Sequence, residues 1–246
     1  MITKRIIDEK GIDQTEDTVL VLGYFDGLHK GHQALFEKAR EIAAEQGLKI
    51  AVMTFPESPK LAFVRYQPEL MLHLASPEDR MAQLESLGVD YLYLIDFTSH
   101  FAGNTARDFF EKYVSRLRAK AVVAGFDYHF GSDRKESHEL RDYFNGKIVI
   151  VPSVNLDNRK ISSTRIRETI AVGDMLKTQE LLGYPLSTRG IVVHGNARGR
   201  TIGYPTANLA PLDRVRLPGD GVYVADVEHN GQRYRGMASV GKNVTF

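Results

Sequence analysis

Thr18-Val-Leu-Val-Leu22 runs without a break into Gly23-Tyr-Phe-Asp-Gly-Leu-His-Lys-Gly-His32, and this junction decides the fold. The apolar, β-branched run reads as a buried strand over Thr18 to Tyr24. Glycines at 23, 27 and 31 mark a turn where backbone can approach a ligand. Leu35, Ala39 and Ile42 then share one face of a helix over Gly31 to Gln46. Working outward, the alternation repeats. It predicts strands over Leu48 to Phe55, Asp90 to Asp96, Ala121 to Phe126 and Lys147 to Val154. Helices are expected from Ser76-Pro-Glu-Asp79 onward, then over Asn104 to Arg118, Glu136 to Phe144, Thr164 to Val172 and Asp174 to Leu182. The expected class is α/β, a Rossmann-like doubly wound parallel sheet.

The alternation stops near Gly183. From Arg189 the chain turns β-rich, with strands expected over Ile191 to Val193, Val222 to Val227 and Tyr234 to Val240, and a hairpin turn at His229-Asn-Gly231. The boundary is placed at 184 to 188, giving domains over 1–183 and 184–246. Basic residues outnumber acidic ones after Arg189, so the second domain is the more receptive to anions.

Composition narrows the function classes. The 246 residues carry 32 Lys and Arg against 31 Asp and Glu, a net charge of +1, so no global field draws the chain to nucleic acid or an anionic membrane. Cysteine is absent, which excludes disulfides, thiolate metal sites and a Cys nucleophile. No run reaches the ~20 apolar residues of a membrane span, and the N-terminus lacks a signal-peptide core. A cytoplasmic protein acting on small molecules is expected, and any polyanion site must be local.

The junction supplies such a site. His29 and His32 stand at the C-terminal edge of the first predicted strand, where open α/β sheets bind ligands. Gly23, Phe25, Gly27 and Gly31 shape the loop around them. Zinc binding and two water-satisfied histidines are the other readings, but the surrounding glycines favour phosphate. About 130 residues on, Ile161-Ser-Ser-Thr-Arg-Ile-Arg167 sets Ser163 and Thr164 at a helix start and Arg167 one turn in. Helix starts both take hydroxyl caps and bind anions. The two stretches read as opposite walls of one nucleotide-phosphate site. Lys160 and Arg165 are weaker candidates, expected to face solvent.

These motifs resemble the flavin-nucleotide adenylyltransferase half of bacterial bifunctional riboflavin kinase/FAD synthetases, over nearly all of residues 15 to 246. The paired histidines alone mark the wider His-x-Gly-His superfamily; Ile-Ser-Ser-Thr-x-Ile-Arg narrows it. The resemblance implies transfer of AMP from ATP to FMN, giving FAD and pyrophosphate, with catalysis by His29, His32 and Arg167. Gly125-Phe-Asp-Tyr-His-Phe-Gly131 resembles the segment in which Asp127 helps hold the flavin. Thr54-Phe-Pro-Glu-Ser-Pro59 departs from the family, which carries a histidine there, and Lys60, Arg65 and Tyr66 nearby read mainly as a solvated loop. A His-x-Gly-His transferase for another substrate and a non-catalytic flavin- or nucleotide-binding regulator are the alternatives.

Gly195-Asn-Ala-Arg-Gly199-Arg-Thr-Ile-Gly203-Tyr-Pro-Thr-Ala-Asn208 is similar to the riboflavin kinase module of the same family. That likeness implies a small β-barrel, partial here, in which Gly203, Thr206 and Asn208 meet the nucleotide and Thr206 and Asn208 face Mg²⁺. It also implies riboflavin as a second substrate. The family's glutamate base has no counterpart in the sequence, and Asn243-Val-Thr245 replaces a more usual Asn-Pro-Thr. The kinase module is therefore expected to be incomplete and the chain to be a fragment of a longer protein.

Overall fold

The computed structural model describes residues 1–195, 201, 203 and 205–241. Parts of the second-domain motif (196–200, 202 and 204) and the stretch 242–246 lie outside the described residues, and with them the Asn-Val-Thr reading. By its contacts the chain divides into two compact units, one of residues 1–71 with 77–162, the other of 72–76 with 163–246.

The first unit is built on a six-stranded sheet. Its strands are β1 (Ile2–Ile6), β2 (Thr18–Leu22), β3 (Lys49–Thr54), β4 (Tyr91–Ile95), β5 (Ala119–Gly125) and β6 (Lys147–Val151), all parallel, in the order β1-β4-β3-β2-β5-β6. The order reverses between β2 and β5, which makes their carboxyl ends a topological switch point. Alternate residues of β2 feed two cores. Val19 and Val21 join Leu35, Phe36, Ala39 and Ile42 of α1 (Lys30–Gln46), together with Leu84 of α2 (Pro77–Ser86). Leu20 and Leu22 meet Phe109, Phe110 and Tyr113 on the other side. A sheet covered on both faces explains why its strands read as unbroken apolar runs.

In this unit sequence and structure differ at β1 and at two expected helices. β1 was not expected, because Ile-Thr-Lys-Arg-Ile carries two cations; it is an edge strand with exposed Thr3 and a partly covered Lys4. The helix expected over Asn104 to Arg118 is instead one α-turn, α3 (Ala106–Phe109), widening into a π-helix at Phe110–Val114. Phe109, Phe110, Tyr113 and Val114 are all buried, and the wider turn lets adjacent aromatics point into one core. The segment expected as a helix over Glu136 to Phe144 is a 3₁₀ helix, Ser137–Asp142.

The second unit begins with α4 (Ser163–Ala171) and α5 (Met175–Leu182), the latter capped by Asp174 and ended by Gly183 at φ 90°. Among the described residues four strands follow: β7 (Gly190–Val193) pairs antiparallel with β8 (Asn208–Pro211), and β9 (Gly221–His229) with β10 (Gln232–Val240). β8 was not expected, since its Pro and Asn disfavour a strand. Asn230 and Gly231 both take positive φ, the geometry of a tight type I′ hairpin. Gly219 lies so near the end of α4 that a Cβ there would stand 2.2 Å from the Ala171 carbonyl oxygen. The short segment Leu72–Ser76 also belongs to this unit. His73 forms a parallel bridge to Val215, its N–H donating to Arg214 O at 2.7 Å and its carbonyl accepting from Arg216 N at 2.9 Å. Strands β7–β8 and β9–β10 are two separate ladders; the expected partial barrel is a finer arrangement than they display.

Candidate active site

In the first unit, the chain leaving β2 turns sharply. Phe25 takes φ 58° and folds its ring back over Gly23, where a Cβ would stand 2.6 Å from the ring. Only glycine fits there. Gly27 (φ 75°) and Leu28 (φ 36°) continue the left-handed path, and α1 starts with His29 as its N-cap. The His29 Nδ1 accepts from the His32 N–H at 3.3 Å. One turn of helix then lays the two imidazoles face to face, centroids 3.7 Å apart and 12° from parallel. The Phe25 ring packs edge-on against His32 at 5.3 Å. Gly31 leaves room for the His29 ring, since a Cβ there would lie 3.1 Å from His29 Nδ1; the Ile161 carbonyl oxygen, at 3.6 Å, would be in ordinary contact.

Burial and surrounding positive charge hold His32 well below the ordinary imidazole range: desolvation contributes most, followed by His29, Arg80 and Lys160. It is neutral at pH 7. Its Nδ1 is buried and has no hydrogen-bond partner among the described residues. A neutral, under-satisfied imidazole at a strand's carboxyl end suits a ligand that brings negative charge.

Asp127 follows β5 on the other side of the switch point. Lys160 pairs with it at 2.5 Å, and the same ammonium lies 4.4 Å from the centroid of the Phe126 ring. The loop after β3 leaves Lys60, Arg65 and Tyr66 exposed. A cleft of about 640 Å³ lined by Asp17, Phe110, Arg118 and Tyr143 lies at the start of β2 and β5, the edge opposite the histidines, so open volume does not mark the site.

In the second unit, Ser163 is the first residue of α4, Thr164 is exposed and Arg167 half-buried. Arg165, expected to face solvent, is only 7% exposed, because it falls on the buried side of α4 beside Ile166. Asn208 opens β8 opposite Val193, and its amide lies where a Cβ on Gly195 would stand, so any side chain at 195 would have to displace it. Gly203 takes φ 78°, and Thr206 is exposed just before β8. Among the described residues no group of three or more His, Asp or Glu is arranged to hold a metal ion.

One residue that sequence reasoning missed is Arg80. It is buried on α2 and bonds to the exits of both β2 and β3. The available signal was an arginine in the apolar stripe of α2, four residues before the buried Leu84.

Residues 11–165 match the FAD synthetase family and residues 182–246 the riboflavin kinase family. The bifunctional riboflavin kinase/FMN adenylyltransferase of Listeria monocytogenes is 39% identical over 231 residues, 93% of this chain and 73% of that protein. The Bacillus subtilis protein of the same name is 38% identical over 237 residues, covering 95% and 75%. A crystal structure from Streptococcus pneumoniae, described as a macrolide-efflux protein, superposes with a TM-score of 0.95 at 56% identity, covering all of this chain and 81% of that one. No described helix here is long and apolar enough to cross a membrane. Family matches for both of the activities that these relatives' shared name joins, at this identity and coverage, place the chain in the bifunctional riboflavin kinase/FMN adenylyltransferase family.

Proposed function

We propose that the chain transfers the adenylyl group of ATP to FMN, forming FAD and pyrophosphate, in a cytoplasmic setting. The stacked His29–His32 pair at the switch point carries this reading, with His32 neutral and its Nδ1 buried and unpartnered. An FMN phosphate oxygen attacks the α-phosphorus while the bond to pyrophosphate breaks in line, so no covalent enzyme intermediate is needed. Catalysis is then positioning and charge stabilisation. Each imidazole, in its neutral form, donates an N–H to phosphate oxygens and so stabilises the negative charge building on the leaving pyrophosphate. Gly23, Phe25, Gly27 and Gly31 give the loop the shape that brings its backbone to the phosphates. From the sequence motif, Ser163, Thr164 and Arg167 are assigned to nucleotide phosphate, and Asp127, steered by Lys160, contacts the flavin.

For the second unit we assign riboflavin phosphorylation chemistry to the family match over 182–246, with the two ladders as parts of a small barrel. Val222, Val224 and Met237 line one exposed apolar face of β9–β10 that a barrel interior would cover. Gly203, Thr206 and Asn208 take the nucleotide. The neutral oxygens of Thr206 and Asn208 suit Mg²⁺, and Gly195 leaves the Asn208 amide the space it needs. Bound there, Mg²⁺ would neutralise charge on the ATP phosphates. No residue of the sequence matches the family's glutamate base: Glu228, the one glutamate after Glu180, lies in β9 opposite Arg233.

The test is FAD formation from ATP, Mg²⁺ and FMN, beside a panel of other phosphate acceptors. His32→Ala should slow it by about a hundredfold, the usual loss on removing a donor aimed at developing charge. Wild-type turnover in that variant, or a preferred acceptor other than FMN, would sink the assignment. FMN formed from riboflavin and ATP is the matching test of the second unit, and no formation would count against its assignment.

A further inference from the structure

We propose that Arg80 is a positioning residue of the nucleotide site, tying the exits of β2 and β3 together so that the glycine loop keeps the shape that seats the histidines. The proposal rests on the adenylyl-transfer reading of that loop. The β2–β3 ladder ends at Leu22 and Met53. Beyond it the strands lose each other as hydrogen-bond partners, and their carbonyls need others. Arg80 supplies them. Its Nη1 donates to Phe55 O at 2.9 Å, and its Nη2 to both Tyr24 O and Thr54 Oγ1. Thr54 Oγ1 also donates to Tyr24 O at 2.9 Å, and the guanidinium sits 5.0 Å from the Tyr24 ring centroid. One planar fork thus fixes three acceptors on two strands, which the flexible point charge of a lysine cannot reproduce.

The loop needs that anchor. Phe25 and Leu28 hold left-handed conformations that persist only where their surroundings over-determine them. Tyr24, whose carbonyl Arg80 grips, is the residue just before Phe25. Arg80 is also one of the three charged or chargeable groups facing His32, with His29 and Lys160, that disfavour its protonation.

The experiment compares Arg80→Lys and Arg80→Met with the wild type at a temperature well below each unfolding midpoint. Both variants should lose about tenfold or more in kcat for FAD formation, with KM for ATP and FMN changed by less than about threefold. In Arg80→Met alone, the acid limb of the kcat profile should move to higher pH, because a cation facing His32 is gone; Arg80→Lys should keep it in place. A role confined to stability would lower the midpoint and leave kcat and the acid limb unmoved. Full kcat in folded Arg80→Lys overturns the proposal, and that variant alone suffices should Arg80→Met fail to fold. If the wild type makes no FAD, the functional reading fails, and positioning is read from NMR instead. The imidazole signals of His29 and His32 should then shift in Arg80→Lys while those of exposed His138 and His229 stay. Unmoved His29 and His32 signals would overturn it.

Discussion

Val19 and Val21 on β2 and Val192 and Val193 on β7 present the same side chain to opposite surroundings. The first two are fully buried, whereas Val192 is 62% and Val193 42% exposed. The runs Thr18-Val-Leu-Val-Leu22 and Gly190-Ile-Val-Val193 both read as strands, yet only the first lies inside two layers of helices. Strand character is a property of the local sequence. Burial is conferred by what the rest of the unit brings to each face, and a site needing sub-ångström placement gains most from the element held on both sides.

The sharpest way to break this contrast is a matched pair of truncations. Leu22→Ala removes a side chain that is 1% exposed and should cost about 2–5 kcal/mol. Leu209→Ala, at a position 59% exposed, should change stability by less than about 0.5 kcal/mol. Denaturant midpoints followed by circular dichroism check both, and equal losses would mean that β8 is covered in solution. A smaller effect is expected from glycines. Gly23→Ala must push the Phe25 ring aside and should cost about 1–3 kcal/mol, whereas Gly236→Ala, with no neighbour within 4 Å of the new Cβ, should be near neutral. If Gly23→Ala proves as mild as Gly236→Ala, the ring is not folded back over the loop.

The smallest effect is a pH dependence confined to the first unit. Folding lowers the affinity of His32 for a proton, so the unfolded chain binds that proton more readily. The stability involved is present above the unfolded value of about 6.5 and is lost as pH falls below it towards the folded value. In His32→Gln the unfolding midpoint should therefore fall less steeply between about pH 6.5 and 5 than in the wild type. Parallel slopes would show that His32 charges freely in the folded protein.

How much of this was legible depended on whether the cause was local. The glycine turn after β2, Pro77 at the head of α2 and the Asn230–Gly231 hairpin are set by backbone preferences within a few residues, and they were readable. The π-turn at Phe110–Val114 was not, because it answers the packing of Phe109, Phe110 and Tyr113 against a sheet assembled from distant strands. β1 was hidden by Lys4 and Arg5, cations that an edge strand tolerates. In the site, residue types announced His29 and His32, but their stacking is geometric. Arg80 could be found only once the ends of β2 and β3 were known to lie side by side, 56 and 25 residues from it for Tyr24 and Phe55.

The segment Leu72–Ser76 gives the second unit a timetable. A ribosome adding about 5–20 residues per second delivers His73 about 7–30 seconds before the Arg214–Arg216 backbone to which it bonds. Through that interval Leu74, 1% exposed in the finished protein, belongs to a unit whose chain is still being made. A nascent chain stalled before residue 214 would hold its first sheet complete while His73 still lacked its bridge to Val215.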